Sequence, residues 1–237
     1  MTIFEKAVIF AVNAHSGMFR KGGTTPYIVH PLEVAAIAGY FTDDPEVLAA
    51  DVLHDTVEDT PCTYEDLCRE FGKRVADLVA SDSEDKREEL PPSATWKVRK
   101  QETLDALRTA SREEKIIVFS DKLSNLRSLY RDYLTVWVAV WERFNQKDPA
   151  EHLWYYGSVL ELCEELSDTA PYRVYSLSFI DLKARVLGGD NIANLKSTPA
   201  PLDERGGFAV YRFCGSVKRR WGRQLCRRTS LLLQIPA

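Results

Sequence analysis

The run Val47-Leu48-Ala49-Ala50, interrupted once and resumed by Val52-Leu53, passes straight into His54-Asp55-Thr56-Val57-Glu58-Asp59-Thr60. An apolar run of this kind seats a helix in a core, and it delivers three carboxylates and an imidazole to the same place. On a continuous helix, at about 100° per residue, His54, Asp55, Glu58 and Asp59 fall within an arc of roughly 140°. His54/Glu58 and Asp55/Asp59 are then stacked i,i+4 neighbours. Carboxylates crowded in this way repel one another and are costly to desolvate, and a bound cation relieves both problems. A solvated acidic helix face is the plainer alternative. The apolar lead-in argues against it, so the stretch reads as a metal-binding or catalytic segment.

Helix signals run through most of the chain. Thr2-Ile3-Phe4-Glu5 has the capping-box pattern, and Phe4, Ala7, Val8, Ala11 and Val12 carry a first helix to His15. Gly17 and Gly22-Gly23-Thr24-Thr25-Pro26 form a loop that holds Arg20 and Lys21. Pro31 can open a second helix, and Asp44-Pro45 opens a third, which ends in the acidic cluster. Further helices are expected from Thr63 to near Gly72, from Arg74 to Val79, and over 96–110, 113–130, 137–144, 149–166 and 171–186. Ser81 to Ser93, polar and mixed in charge with Pro91-Pro92, reads as a mobile loop. No stretch alternates with period two, so the fold class is all-α.

Charge divides the chain unequally. Residues 186–237 carry nine Lys/Arg against three Asp/Glu, leaving 22 against 32 before them. An acidic body does not invite nucleic acid, but it fits a site built from carboxylates. The glycine- and proline-punctuated segment 188–237 reads as a poorly ordered basic extension after a domain spanning 1–187. No apolar run approaches the ~18–20 residues needed to cross a bilayer. The N-terminus lacks a signal-peptide pattern, and the five cysteines form no CxxC pair. The expected location is the cytoplasm, with reduced thiols and no membrane partner; the oligomeric state stays open.

His30, in Tyr27-Ile28-Val29-His30-Pro31, and Asp121, in Ser120-Asp121-Lys122-Leu123-Ser124-Asn125, each have an ordinary explanation alone. The first can be a cap residue, and the second can pair with Lys122 or Arg127. With His54-Asp55 they make two imidazoles and two carboxylates, a set that suits manganese, iron or zinc.

The order and spacing of these segments, together with Ala14-His15-Ser16-Gly17 and Arg20-Lys21-Gly22-Gly23, resemble the HD superfamily of phosphohydrolases. More specifically, they resemble the hydrolase domain of the Rel/Spo family and the small alarmone hydrolases, over residues 2 to about 185. The resemblance implies an HD-domain helical bundle. It implies metal binding by His30, His54, Asp55 and Asp121, usually with Mn2+ (Fe2+ or Zn2+ also fit). It makes Glu58 and Asp59 the catalytic acidic pair, placed to orient or deprotonate the attacking water and to protonate a leaving oxygen. Arg20, Lys21 and Asn125 are implied to contact a guanine nucleotide, and His15 to support the site from behind. Arg99-Lys100 matches a basic pair of the family loosely. The implied reaction is hydrolysis of the 3′-pyrophosphate of guanosine tetra- or pentaphosphate to GDP or GTP and pyrophosphate. A different nucleotide such as NADPH, or nucleotide sensing without turnover, stays open at this point.

Overall fold

The computed structural model describes residues 1–85, 87 and 89–188. Among them the chain forms helices α1 (Ile3–Ala14), α2 (Val29–Ala38), α3 (Pro45–Leu53), α4 (Thr56–Asp59), α5 (Tyr64–Phe71), α6 (Lys73–Asp82), α7 (Pro92–Thr109), α8 (Arg112–Val136), α9 (Pro149–Leu162) and α10 (Ala170–Leu187). Short 3-10 turns cover Trp137–Arg143 and Glu164–Leu166. There is no strand among the described residues, only an isolated bridge between Phe19 and Pro26 that pinches the Arg20–Thr25 loop. The all-α expectation holds. The expected basic extension, with Cys214 and Cys226, lies outside the described residues, whereas Cys62, Cys68 and Cys163 are free thiols.

Side-chain caps set most helix starts. Thr2/Glu5, Thr63/Asp66 and Ser111/Glu114 form complete capping boxes for α1, α5 and α8. Asp44 and Asp148 cap α3 and α9, each followed by Pro at the first helical position. Pro31 falls two residues inside α2 rather than at its start, still within the first turn, where a missing N–H costs nothing.

The architecture is organised around α8. By its helical rise this 25-residue helix spans about 37 Å, and Ile116 through Ser124 are all buried. Helices α2, α3, α6, α9 and α10 pack on it, and α1 closes over α3. At the far side Trp96, Tyr133, Trp141, Phe144, His152 and Tyr155 form a continuous aromatic cluster. The aromatics of the 137–154 region are therefore used largely in the core. Where α9 meets α10, a Cβ at Gly157 would stand 3.0 Å from Phe179 Cζ, so glycine permits the close approach.

Two expectations are corrected. The acidic cluster is not on one continuous helix: α3 stops at Leu53 and α4 is a separate turn. Thr56 Oγ1 donates to Leu53 O at 2.6 Å, and His54 Nδ1 is 2.7 Å from Asp51 O. Side chains thus take carbonyls at the end of α3 that the ladder would otherwise use. Backbone dihedrals stay right-handed at His54 (φ −51°, ψ −42°) and Asp55 (φ −87°, ψ −4°), so the helix is interrupted without being unwound. The second correction concerns only the bounds of the 81–93 loop. Helix α6 runs through Asp82 and α7 begins at Pro92, and within the connection the Glu84 carboxylate meets Arg99 at 2.8 Å and Lys100 at 2.6 Å. With the Glu84 side chain only 9% exposed, these are sheltered pairs and not solvated ones.

Gly72, between α5 and α6, has φ +89° and ψ 163°, a conformation essentially confined to glycine. A Cβ there meets nothing within 4 Å, so backbone strain is the whole penalty. Gly72→Ala should therefore destabilise the fold by about 1–3 kcal/mol. Chemical denaturation checks this, and an unchanged midpoint would contradict it.

Candidate metal centre

Three separate elements deliver the candidate ligands. His30 comes from the first turn of α2, His54 and Asp55 from the α3–α4 junction, and Asp121 from the buried part of α8. His30, His54 and Asp121 each present a donor atom within 4.8 Å of the others. His30 Nε2 lies 3.0 Å from Asp121 Oδ1 and 3.6 Å from Asp55 Oδ2. His54 Nε2 lies 3.0 Å from Asp55 Oδ2 and 3.7 Å from Asp121 Oδ1. Two imidazole nitrogens and two carboxylate oxygens thus surround one point, although they start 91 residues apart in the chain.

The far side of each imidazole is also engaged. His54 Nδ1–H donates to Asp51 O. His30 Nδ1 is 2.9 Å from Ser124 Oγ, whose hydroxyl donates to Glu33 Oε2 at 2.9 Å, so His30 is the donor in that pair. Both rings therefore donate from Nδ1, which leaves each Nε2 turned to the shared point, the arrangement metal-binding histidines use. His54 Nε2 is fully buried and makes no well-aligned hydrogen bond; its close polar neighbour is the Asp55 carboxylate at 3.0 Å, and a cation shared between them would satisfy both. The donor set fits a divalent transition metal.

Electrostatics point the same way. Burial opposes charge on His54, but Asp55, with Asp121 and Asp82, outweighs it and raises the imidazole to about 10. Burial also opposes charge on Asp55, yet His54 and His30 hold its carboxyl well below the usual range. Asp121 is likewise held low against burial, chiefly by Lys122. Lys122 is itself buried and paired to both Asp121 and Asp82. Burial pushes Asp82 up to about 6 despite that lysine.

Around the donors lies a polar cavity of about 220 Å³ lined by Arg20, Tyr27, Glu58, Asp59, Arg99 and Lys100, among others. Glu58 and Asp59, expected beside the ligands, are there, and so are Arg20 and Asn125. Arg20 donates to Asn125 Oδ1 at 2.8 Å, and Asn125 Nδ2 donates to Asp121 Oδ1 at 2.5 Å, so the amide ties the loop to the ligand carboxylate. Lys21 does not reach this cavity. It lines two adjoining ones, of about 290 and 650 Å³, that share Arg20 with the first. His15 is buried behind the site with its ring 4.8 Å from that of Tyr27, and burial lowers its pKa.

Several residues at the site carried no signal of their own in the sequence. The Tyr27 hydroxyl lies 2.7 Å from Asp55 Oδ2 and 2.8 Å from Asp59 Oδ2, joining the ligand carboxylate to the acidic pair. Burial and those two carboxylates raise its pKa far beyond the usual phenol range. The Arg20 guanidinium sits 5.5 Å above its ring. Ser124 and Glu33 look like ordinary helix residues until α2 and α8 are packed together. Asp51 reads as a lone interruption of an apolar run. It is fully buried and its carboxylate oxygens have no hydrogen-bond partner, so burial raises its pKa strongly.

A family model described as the HD domain matches residues 7–146. The chain belongs to the HD-domain family. It is 37% identical over 132 residues to the Danio rerio guanosine-3′,5′-bis(diphosphate) 3′-pyrophosphohydrolase MESH1, covering 54% of this chain and 70% of that protein. It is 48% identical over 75 residues to the Escherichia coli K12 bifunctional (p)ppGpp synthase/hydrolase SpoT. That match takes 32% of this chain but only 10% of SpoT, so the chain spans about a tenth of such bacterial relatives. Among solved structures, a metazoan SpoT ortholog described as hydrolysing ppGpp superposes with a TM-score of 0.61 at 24% identity, over 78% of this chain and 97% of its own. A Listeria monocytogenes EGD-e protein gives a TM-score of 0.55 at 34% identity, over 66% and 95%. The HD fold is shared. No helix among the described residues is long and apolar enough to cross a membrane.

Two outcomes are expected at this centre. A proton and a metal ion compete for the His54 Nε2 lone pair. Because His54 titrates near 10, above its ordinary value, metal affinity should weaken as pH falls below that point, by up to about tenfold per unit for one displaced proton. Competition titrations at pH 7 and 8 check this, and a pH-independent affinity would contradict it. Ser124→Ala removes the acceptor that orients His30 and should lower metal affinity about 10–100-fold; unaltered affinity would show that the Ser124–Glu33 relay does not hold the ring.

Proposed function

We propose that this protein is a metal-dependent phosphohydrolase that removes the 3′-pyrophosphate of guanosine tetra- or pentaphosphate, releasing pyrophosphate and GDP or GTP. The observation that carries the reading is the acidic pair Glu58-Asp59 in the same cavity as His30, Asp55 and Asp121, together with the basic pair Arg99-Lys100. The printed activities of the fish and bacterial relatives support the substrate.

His30, His54, Asp55 and Asp121 would hold a divalent ion, manganese in this reading, which when bound would supply Lewis acidity at a phosphoryl oxygen and lower the pKa of the attacking water. Glu58 would orient that water and accept its proton, then pass the same proton to the departing 3′ oxygen, while Asp59, held by the Tyr27 hydroxyl, steadies the water and the acidic pair. Arg99, Lys100 and Lys122 line the same cavity and offset charge on the pyrophosphate. Arg99 and Lys100 are already fixed by Glu84, so they need little reorganisation when substrate arrives.

The nucleoside fits the neighbouring cavity of about 290 Å³, lined by Arg20, Lys21, Asn125, Phe144 and Tyr156, among others. Arg20 offers a flat cation to a purine face. Lys21 has no ion-pair partner among the described residues and supplies charge to phosphate.

The direct test is pyrophosphate release from guanosine tetraphosphate with manganese and with chelator, beside GTP and NADPH. Manganese-dependent release from the alarmone alone is expected; release from NADPH alone would replace the substrate. Glu58→Gln should keep the metal and lose about 10²–10⁴ in kcat. A near-normal kcat in that variant would remove Glu58 from the chemistry.

A further inference from the structure

The largest of the three cavities, about 650 Å³, is not used by the reaction as described. It runs between the Arg20–Thr25 loop, the start of α2, the second half of α8 and the 3-10 turn after it. Five cations, Arg20, Lys21, Arg127, Arg131 and Arg143, line it against two carboxylates, Glu33 and Asp132. Both carboxylates are committed to holding arginines. Glu33 pairs with Arg127 at 2.9 Å. Asp132 pairs with Arg143 at 2.5 Å and with Arg131 at 3.4 Å. The groove therefore has surplus positive charge, carried mostly by guanidinium groups, which suits phosphate.

Its position relative to the metal centre says which phosphate. Asp121, Asn125, Ser128, Asp132 and Thr135 follow one another at intervals of four and three along one face of α8. Asp121 and Asn125 line the metal cavity, Asn125 and Ser128 the nucleoside cavity, and the basic groove runs from His30 and Ser124 at its near end to Arg131, Asp132 and Thr135 at its far end. From Asp121 to Arg131 the helix rises about 15 Å. In a ribonucleoside the 3′ oxygen and the 5′ carbon leave adjacent ring carbons on opposite faces. A nucleotide with its 3′-pyrophosphate at Asp121 and its base beside Phe144 therefore sends its 5′ chain away from the metal, towards Arg131 and Arg143.

We propose that this groove is the subsite for the 5′-phosphate chain of the nucleotide, and that Arg131 and Arg143 make the protein discriminate substrates by their 5′ phosphorylation. The proposal rests on the nucleotide reading above. Arg131 is the more telling residue, because its side chain is 74% exposed and only weakly tied to Asp132. Charge on it has no strong use in the fold.

The test compares guanosine 3′-diphosphates carrying a 5′-hydroxyl, 5′-diphosphate or 5′-triphosphate on the full chain. Wild type should show a kcat/KM about tenfold or more higher with a 5′-diphosphate than with a 5′-hydroxyl, mainly through KM. Arg131→Gln with Arg143→Gln should compress that ratio towards one, while Arg108→Gln, on the exposed surface of α7, should keep it. An unchanged ratio in the double variant, or no 5′ preference in wild type, overturns the subsite. Inorganic pyrophosphate or GDP that alters turnover of the 5′-hydroxyl substrate only when Arg131 and Arg143 are present would make the groove a separate effector site, which also overturns it. Equilibrium binding of the same nucleotides carries the comparison independently. A 5′-dependent affinity without hydrolysis would sink the proposed reaction and leave the groove standing.

Discussion

Two imidazoles and two carboxylates brought to one buried point cannot be held there by packing alone. Like charges repel and desolvation penalises each of them, so the set demands positive charge in its midst. Much of this structure can be understood as answering that demand. Lys122 is buried against Asp121 and Asp82, His54 is drawn towards its charged form, and Tyr27 places a hydroxyl between Asp55 and Asp59. A divalent ion meets the same demand more directly, at the point both Nε2 atoms already face.

The fold supplies the rigidity that such a point needs. The candidate ligands come from α2, the α3–α4 junction and α8, and those helices pack on one another, with fully buried side chains such as Ala38, Val52, Phe119 and Leu123 among them. The outer supports follow the same logic: Asp51 O orients His54, and the Ser124–Glu33 pair orients His30. Glu33 then meets Arg127 at the floor of the basic groove. A continuous line of polar contacts thus joins the groove to a candidate ligand, with no loop residue in it.

What the sequence disclosed depended on how local each signal was. Caps and apolar periodicity are local, so Thr2/Glu5, Asp44-Pro45 and Thr63 located their helices to within a few residues. His54-Asp55 stood out because charges crowd there after an apolar run. His30 and Asp121 each have an ordinary reading alone and stood out only when set beside His54-Asp55 and the family resemblance. The break between α3 and α4 was not legible, because it depends on Thr56 and His54 side chains taking carbonyls that a helix pattern assigns to the backbone. Glu84 was not legible either. In sequence it is one charge among many in a polar stretch, and only packing against α7 reveals Arg99 and Lys100 as its partners. Ser124, Glu33 and Tyr27 gain their roles in the same way, from contacts between elements distant in the chain.

The central claim is that His30, His54, Asp55 and Asp121 together hold one metal ion, and metal content per chain tests it most directly. Protein dialysed against manganese and then freed of excess should retain about one ion per chain, and Asp121→Ala, still folded by circular dichroism, should retain almost none. Full occupancy in that variant, or none in the wild type, would contradict the account.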